Sequence, residues 1–196
     1  MDAAPPGGGY SEGYVKQNPV LLFARALDFA ACKHVHQRRK GELAEPYVNH
    51  LSDVARLLAE ATEGEDVTVV IAGLLHDTIE DTDTTFAELA KEFGPEVAEL
   101  VAEVTDDTSL PKAERKRLQV EMAPHKSPRA RMIKLADKTS NLHSMIASPP
   151  KDWSLERRRE YIDWADKVAA GCRGVNAYLE REFDRARRRA KAAVKA

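Results

Sequence analysis

The 196-residue sequence predicts an all-α protein, a single domain built as a bundle of roughly eight to ten helices. Three observations carry this. Apolar residues recur at i, i+3, i+4 and i+7 over most of the chain, which is the spacing of one helix face. Helix-start residues such as Asn18-Pro19, Thr85 and Ser154 alternate with stops such as Gly64, Gly94 and Pro149-Pro150. β-Branched runs are nearly absent. The main one, Val67 to Ile71, continues into Ala72-Gly73-Leu74-Leu75 along a 3.6-residue seam and is therefore read as helix.

The elements follow in order. Residues 1–17 are rich in Gly and Pro and predict a disordered N-terminal tail ahead of a domain spanning 18–190, with a basic tail at 191–196. Asn18 as cap and Pro19 at the first helical position open a helix to about His36. Residues 37–46 are a polar loop ending in Pro46. Val54, Leu57, Leu58 and Ala61 form the seam of the next helix, closed by Gly64. Val67, Val70, Ile71, Leu74 and Leu75 form a denser one, buried on more than one side, that runs on into His76–Asp81. Thr85-Phe86-Ala87-Glu88 predicts a capping box, and Gly94-Pro95 separates that short helix from one over 95–105. After an Asp106–Pro111 loop come a charged helix to Met122, a turn between Pro124 and Pro128, and a helix over 129–147. Ser154 caps a helix with the seam Tyr161, Trp164, Ala165 and Val168, and a final helix covers 175–190.

Composition limits what the chain does. Thirty Lys and Arg against 32 Asp and Glu leave a net charge of -2, which argues against binding nucleic acid through a basic surface. No apolar run reaches the ~18–20 residues that span a bilayer. Met1 to Gly9 lack the basic start and apolar stretch of a secretory signal. The expectation is a cytoplasmic protein with no nucleic-acid and no membrane partner. Its two cysteines, Cys32 and Cys172, are too few for a disulfide framework and read as reduced thiols, a single bridge between them staying open.

The informative residues are polar groups set where a core helix should be apolar. His76-Asp77 follows directly on Leu74-Leu75, and burying both costs several kcal/mol unless each finds a partner. Glu80 and Asp81 lie one turn further on. Lys134, Asp137, Lys138 and Asn141 share a second helix face, beside the apolar seam Leu135, Thr139, Leu142 and Ile146. Pro46-Tyr47-Val48-Asn49-His50 sets another histidine at a helix entrance. Taken singly, each has a plain structural explanation. A lone His-Asp pair is more often a hydrogen-bonded core pair than a ligand set. A carboxylate between lysines is more often a solvated face.

Together these segments resemble the HD superfamily of metal-dependent phosphohydrolases, and within it the stand-alone (p)ppGpp hydrolases. The resemblance rests on AACKH at 30–34 with QRRK at 37–40, PYVNH at 46–50, LLHDTIEDTDTT at 74–85, FGPEV at 93–97 and EVTDDTSLPKAERKRLQVE at 103–121. KLADKTSNL at 134–142 and REYIDWADKV at 159–168 complete it. It implies that His50, His76, Asp77 and Asp137 bind one divalent metal, Mn²⁺. It implies that Glu80 and Asp81 orient and deprotonate the attacking water. Arg39 and Lys40 match residues near the guanine and phosphates, and Lys112, Asn141, Arg157 and Tyr161 match further nucleotide contacts. The implied reaction removes pyrophosphate from the ribose 3′ position of (p)ppGpp, leaving GDP or GTP. The alternative is the same chemistry on another 2′- or 3′-phosphorylated nucleotide, such as NADPH.

Two departures from the family pattern stand out. Leu51 follows His50 where Pro is common, and Thr139-Ser140 replaces a bulkier pair, which predicts a looser nucleotide pocket. Other features have duller readings. Trp153 and Trp164 are expected as core anchors, Asp106-Asp107 as a solvated loop, His34 and His36 as boundary residues, and His125 as solvated. His143 is not favoured for a place at the pocket rim, and the Arg/Lys-rich end reads as a solvated helix face.

Overall fold

A computed structural model describes residues 18–195, so the predicted tail over 1–17 lies outside the described residues. The described residues form ten α-helices and one 3₁₀ turn. These are α1 (Pro19–Lys33), α2 (Val48–Ala61), α3 (Val67–Leu75), α4 (Thr78–Asp81), α5 (Phe86–Phe93), α6 (Pro95–Val104), α7 (Lys112–Met122), α8 (Pro128–Ala147), α9 (Leu155–Cys172) and α10 (Ala177–Ala193), with the 3₁₀ turn at Ala123–His125. Extended pairing among the described residues is limited to two isolated bridges, Arg38 with Pro46 and Gly41 with Pro150. They hold the loop between α1 and α2 against itself and against the chain after α8.

The starts are chemical. Asn18 accepts from the Val20 and Leu21 amides, Asp66 from Val69, Ser127 from Ala130 and Ser154 from Arg157. Thr85 accepts from the Glu88 amide at 3.2 Å, but the Glu88 carboxylate pairs with Lys33 at 3.2 Å. The predicted capping box is therefore half made, because a tertiary cation outcompetes the local amide. Gly94, with φ of 91°, turns the chain between α5 and α6 in the left-handed region open to glycine.

Helix α8 is the axis. It packs against α2, α3, α6, α9 and α10. Leu51, Leu57, Leu58, Ile71, Leu74, Leu75, Leu135 and Leu142 are fully buried around it. Each such side chain contributes about 1.5–3 kcal/mol relative to exposure. Helix α3 is buried from Val69 to Leu75. A Cβ on Gly73 would fall 2.1 Å from Leu58 Cδ1, so glycine there lets α2 and α3 approach.

One predicted helix is broken. The segment expected to continue through His76–Asp81 stops at Leu75 and restarts as the single turn α4. Thr78 Oγ1 donates to the Leu75 carbonyl at 2.6 Å and satisfies an acceptor that the break exposes. At the other end α10 runs past Ala190 to Ala193, because Ala190 and Val194 are buried. No helix among the described residues is long and apolar enough to cross a membrane.

Candidate metal centre and adjoining cleft

Three helices converge on one point. His50 sits in the first turn of α2, His76 and Asp77 at the α3–α4 break, and Asp137 midway along α8. His50, His76 and Asp137 are all buried and offer ligand atoms within 4.8 Å of one another. His50 Nε2 lies 3.4 Å from Asp137 Oδ1, and His76 Nε2 lies 3.1 Å from Asp77 Oδ2. Asp77 Oδ2 is also 3.8 Å from His50 Nε2.

Each ring is turned by its far nitrogen. His76 Nδ1 lies 2.8 Å from the Gly73 carbonyl and His50 Nδ1 lies 2.9 Å from Ser140 Oγ. A carbonyl only accepts, so His76 donates from Nδ1, and in the neutral ring that a metal would bind Nε2 carries the lone pair. That Nε2 is buried without a hydrogen-bond partner. A bare imidazole nitrogen facing two carboxylates fits a cation, and two imidazoles with two carboxylates form a mixed N/O donor set for a divalent metal.

The surroundings keep the carboxylates ionised. Burial raises both Asp77 and Asp137, but their neighbours outweigh it and hold both below the usual carboxylate range. Those neighbours are His76 and His50 for Asp77, and Lys138 with both histidines for Asp137. Burial lowers His50. It also opposes the charge on His76, yet Asp77 and Asp137 raise that group overall. Tyr47 donates its hydroxyl to Asp77 Oδ2 at 2.6 Å, and Lys138 Nζ donates to Asp137 Oδ2 at 2.8 Å.

Glu80 and Asp81 are adjacent in sequence and unlike in setting. The Glu80 carboxylate is held at both oxygens, by Arg115 at 3.1 Å and by the Asp106 amide at 3.2 Å. Burial, then Asp106 and Asp77, push it up to about 7. Asp81 is exposed and accepts from Gln37 Nε2 at 2.8 Å.

Beside the cluster lie two cavities of about 320 and 390 Å³ that share Lys40, Trp153 and Tyr161 in their walls. The first takes in Arg39, Asp81 and Asn141. The second takes in Glu80, Lys112, Arg115 and Arg157. All six residues matched to nucleotide contacts thus line this cleft. Asn141 joins it to the cluster, accepting from Arg39 at 2.6 Å and donating to Asp137. Burial raises the Tyr161 hydroxyl to about 12, so it stays a donor at neutral pH.

Several expectations are corrected. Trp153 and Trp164 pack against the core as expected, but they also line the cleft, where cations cover them. Arg157 lies 4.6 Å from the Trp153 ring, and Lys116 and Lys138 lie 4.7 and 4.6 Å from the Trp164 ring. Lys134 and Lys138 are buried, not solvated. Asp106 is drawn in from its loop, accepting from Gln119 and lying 3.9 Å from Lys134. Ser140 is absent from the pocket wall and faces His50 from behind. His34 is buried and stacked on Tyr47 at 5.1 Å, while His36 and His125 are exposed. Sequence reasoning missed Tyr47, Arg115, Asp106 and Ser140. Each stands inside a matched block, but nothing in its residue type distinguishes it from its neighbours.

Comparison with known proteins agrees with this geometry. The HD domain family matches residues 26–163. The human guanosine-3′,5′-bis(diphosphate) 3′-pyrophosphohydrolase MESH1 is 53% identical over 155 residues, covering 79% of this chain and 87% of that protein. Its Drosophila melanogaster counterpart is 49% identical over 166 residues, covering 85% of this chain and 93% of that protein. A solved structure described as a metazoan ortholog of SpoT that hydrolyzes ppGpp and plays a role in starvation responses matches with a TM-score of 0.82. It is 48% identical and covers 85% of this chain and 94% of that one. The family match extends from Ala26 on α1 to Asp163 on α9 and so takes in every helix that surrounds the cluster: the chain belongs to the HD-domain family.

Proposed function

We propose that this protein is a metal-dependent (p)ppGpp 3′-pyrophosphohydrolase acting on a small nucleotide in the cytoplasm. Water attacks the phosphorus bonded to the ribose 3′ oxygen, that P–O bond breaks, and the 3′ oxygen takes up a proton. The products are pyrophosphate and GDP, or GTP from pppGpp. Curated relatives of that name, about half identical over most of their length, support the substrate class. The observation that carries the reading is a buried two-histidine, one-aspartate cluster at the side of a cation-lined cleft, with Glu80 poised near neutrality beside it.

A divalent ion held by His50, His76, Asp77 and Asp137, which we assign as Mn²⁺ from the mixed N/O donor set, would supply Lewis acidity toward a phosphoryl oxygen and make water more acidic. Glu80 takes the proton of the attacking water, a task suited to a carboxylate whose pKa is about 7. Asp81, held by Gln37, orients that water from the opposite cavity. Arg39, Lys40, Lys112 and Arg157 offset the substrate's charge, and Asn141 and Tyr161 offer hydrogen bonds in the same cleft.

Incubating the purified protein with ppGpp, with and without Mn²⁺, tests this reading. The expected result is equimolar GDP and pyrophosphate, lost on chelation and restored by Mn²⁺. Orthophosphate released from NADPH with no turnover of ppGpp would replace the substrate assignment with the alternative one.

A further inference from the structure

Behind the cluster, on the side away from the cleft, runs a chain of polar groups that the proposed reaction does not use. His50 Nδ1 meets Ser140 Oγ at 2.9 Å in a fully buried contact. Ser140 also acts on the Asp53 carboxylate, one turn along α2 from His50, and helps to hold it down. Asp53 also accepts from Arg56 at 2.7 Å and lies 3.3 Å from His143 Nδ1. The placement is selective. Thr139, the preceding residue, gives its hydroxyl to its own helix at the Leu135 carbonyl, 2.7 Å away. Ser140 instead spends its hydroxyl across the α2–α8 interface.

The order of protons along this chain is determined by what each group is able to do. Asp53 faces Arg56 and His143, and these with Ser140 hold its carboxyl below the usual range although burial opposes them, so it only accepts. An ionised carboxylate at this place draws the Ser140 proton toward Asp53. The oxygen's lone pair is left for His50, which must then donate from Nδ1. His50 Nε2 is thereby left as a bare acceptor, 3.4 Å from Asp137 Oδ1. Carboxylate-oriented histidines of this kind hold a metal more tightly than free-turning ones.

We propose that Ser140 and Asp53 are positioning residues that fix the ring and tautomer of His50 for metal binding. This rests on the reading of His50 as a ligand. It assigns a task to the one departure from the family pattern that removes bulk next to Asn141: Ser140 serves the ligand sphere, not the nucleotide pocket.

The test is Mn²⁺ affinity of the full chain, measured by calorimetric titration without nucleotide, together with ppGpp kinetics. Ser140→Ala should weaken Mn²⁺ binding by roughly 10-fold and Asp53→Asn by less, with the double variant close to Ser140→Ala alone. At saturating Mn²⁺ the KM for ppGpp should stay within twofold of the parent. Thermal denaturation of the chelated proteins separates loss of fold from loss of affinity. Parent-like Mn²⁺ affinity in a folded Ser140→Ala protein, with His50→Ala abolishing it, overturns the positioning role and leaves the ligand assignment standing. Equal, additive losses from the two single variants overturn the relay. Absence of Mn²⁺ binding by the parent overturns the ligand reading itself, and this inference with it.

Discussion

The metal cluster and the cleft wall formed by α7 are neighbours built on opposite principles. The cluster sits on α2, α8 and the end of α3, each anchored by several fully buried apolar side chains. Its rings and carboxylates are each fixed by a second contact, such as Gly73 for His76, Tyr47 for Asp77 and Lys138 for Asp137. Helix α7 buries no residue fully and leans on α9 through partial contacts, yet it supplies Lys112, Arg115 and Lys116 to the cleft. The difference suits the proposed tasks. Ligand geometry must hold to a fraction of an ångström, which only close packing provides. Capture of a polyanion needs charge at the right distance, which cations on a loosely packed helix provide.

Substitutions on each side should therefore fail differently. Asp137→Ala has the largest expected effect. Mn²⁺ binding and turnover should fall by orders of magnitude while far-UV helicity persists, and the melting temperature should drop because Lys138 is left buried without its partner. Undiminished Mn²⁺ binding would take Asp137 out of the ligand set. Next comes Glu80→Gln, expected to retain metal and lose turnover by roughly 10²–10⁴-fold. A near-parent rate would hand the proton transfer to Asp81 or to another group.

Glu80 also sharpens the comparison through pH. Its carboxyl is raised in the folded chain from 4.5 to about 7, so between those values the folded state holds a proton that the unfolded chain has released. That contribution to stability is full below about 4.5 and is lost as pH rises through about 7. In chelated protein, the stability of Glu80→Gln relative to the parent should rise with pH across this window. Melting curves at pH 5, 6, 7 and 8 show it, and a flat difference would mean that Glu80 titrates normally.

On the α7 side the effects shrink. Lys112→Met and Arg157→Met should each raise the KM for ppGpp by about 10-fold with kcat within a few-fold of the parent, the mark of lost ground-state binding. A matching fall in kcat would place them at the reacting phosphate. Smallest of all is Arg117→Ala on α7. Its pairs with Glu114 and Glu121 are exposed and outside the cleft, so neither the melting temperature nor the KM should move measurably.

The sequence was most legible where one residue type in one local pattern has a single physical consequence. Asn18-Pro19 and Ser154 mark real helix starts, and the density of Val69 to Leu75 marks a helix buried on all sides. Placing His76-Asp77 at the end of that helix signals polar groups that need a partner. Legibility failed where a long-range competitor decides. Glu88 fits a capping box until Lys33 arrives from α1. Trp164 keeps its place on a core seam, but nothing local announces that Lys116 and Lys138 cover its ring.

By itself the sequence determined the helices, their order and the residue types from which a metal site is made, because capping, periodicity and donor chemistry act over a few neighbouring residues. Tertiary structure alone decided which of those donors meet. It brings His50, His76 and Asp137 together across α2, α3 and α8. It separates the environments of adjacent Glu80 and Asp81, and it turns Ser140 toward a ligand when its place in the chain suggests the pocket. The physical reason is that contacts between helices are set by the packing of whole faces, and no local pattern encodes which face arrives opposite which.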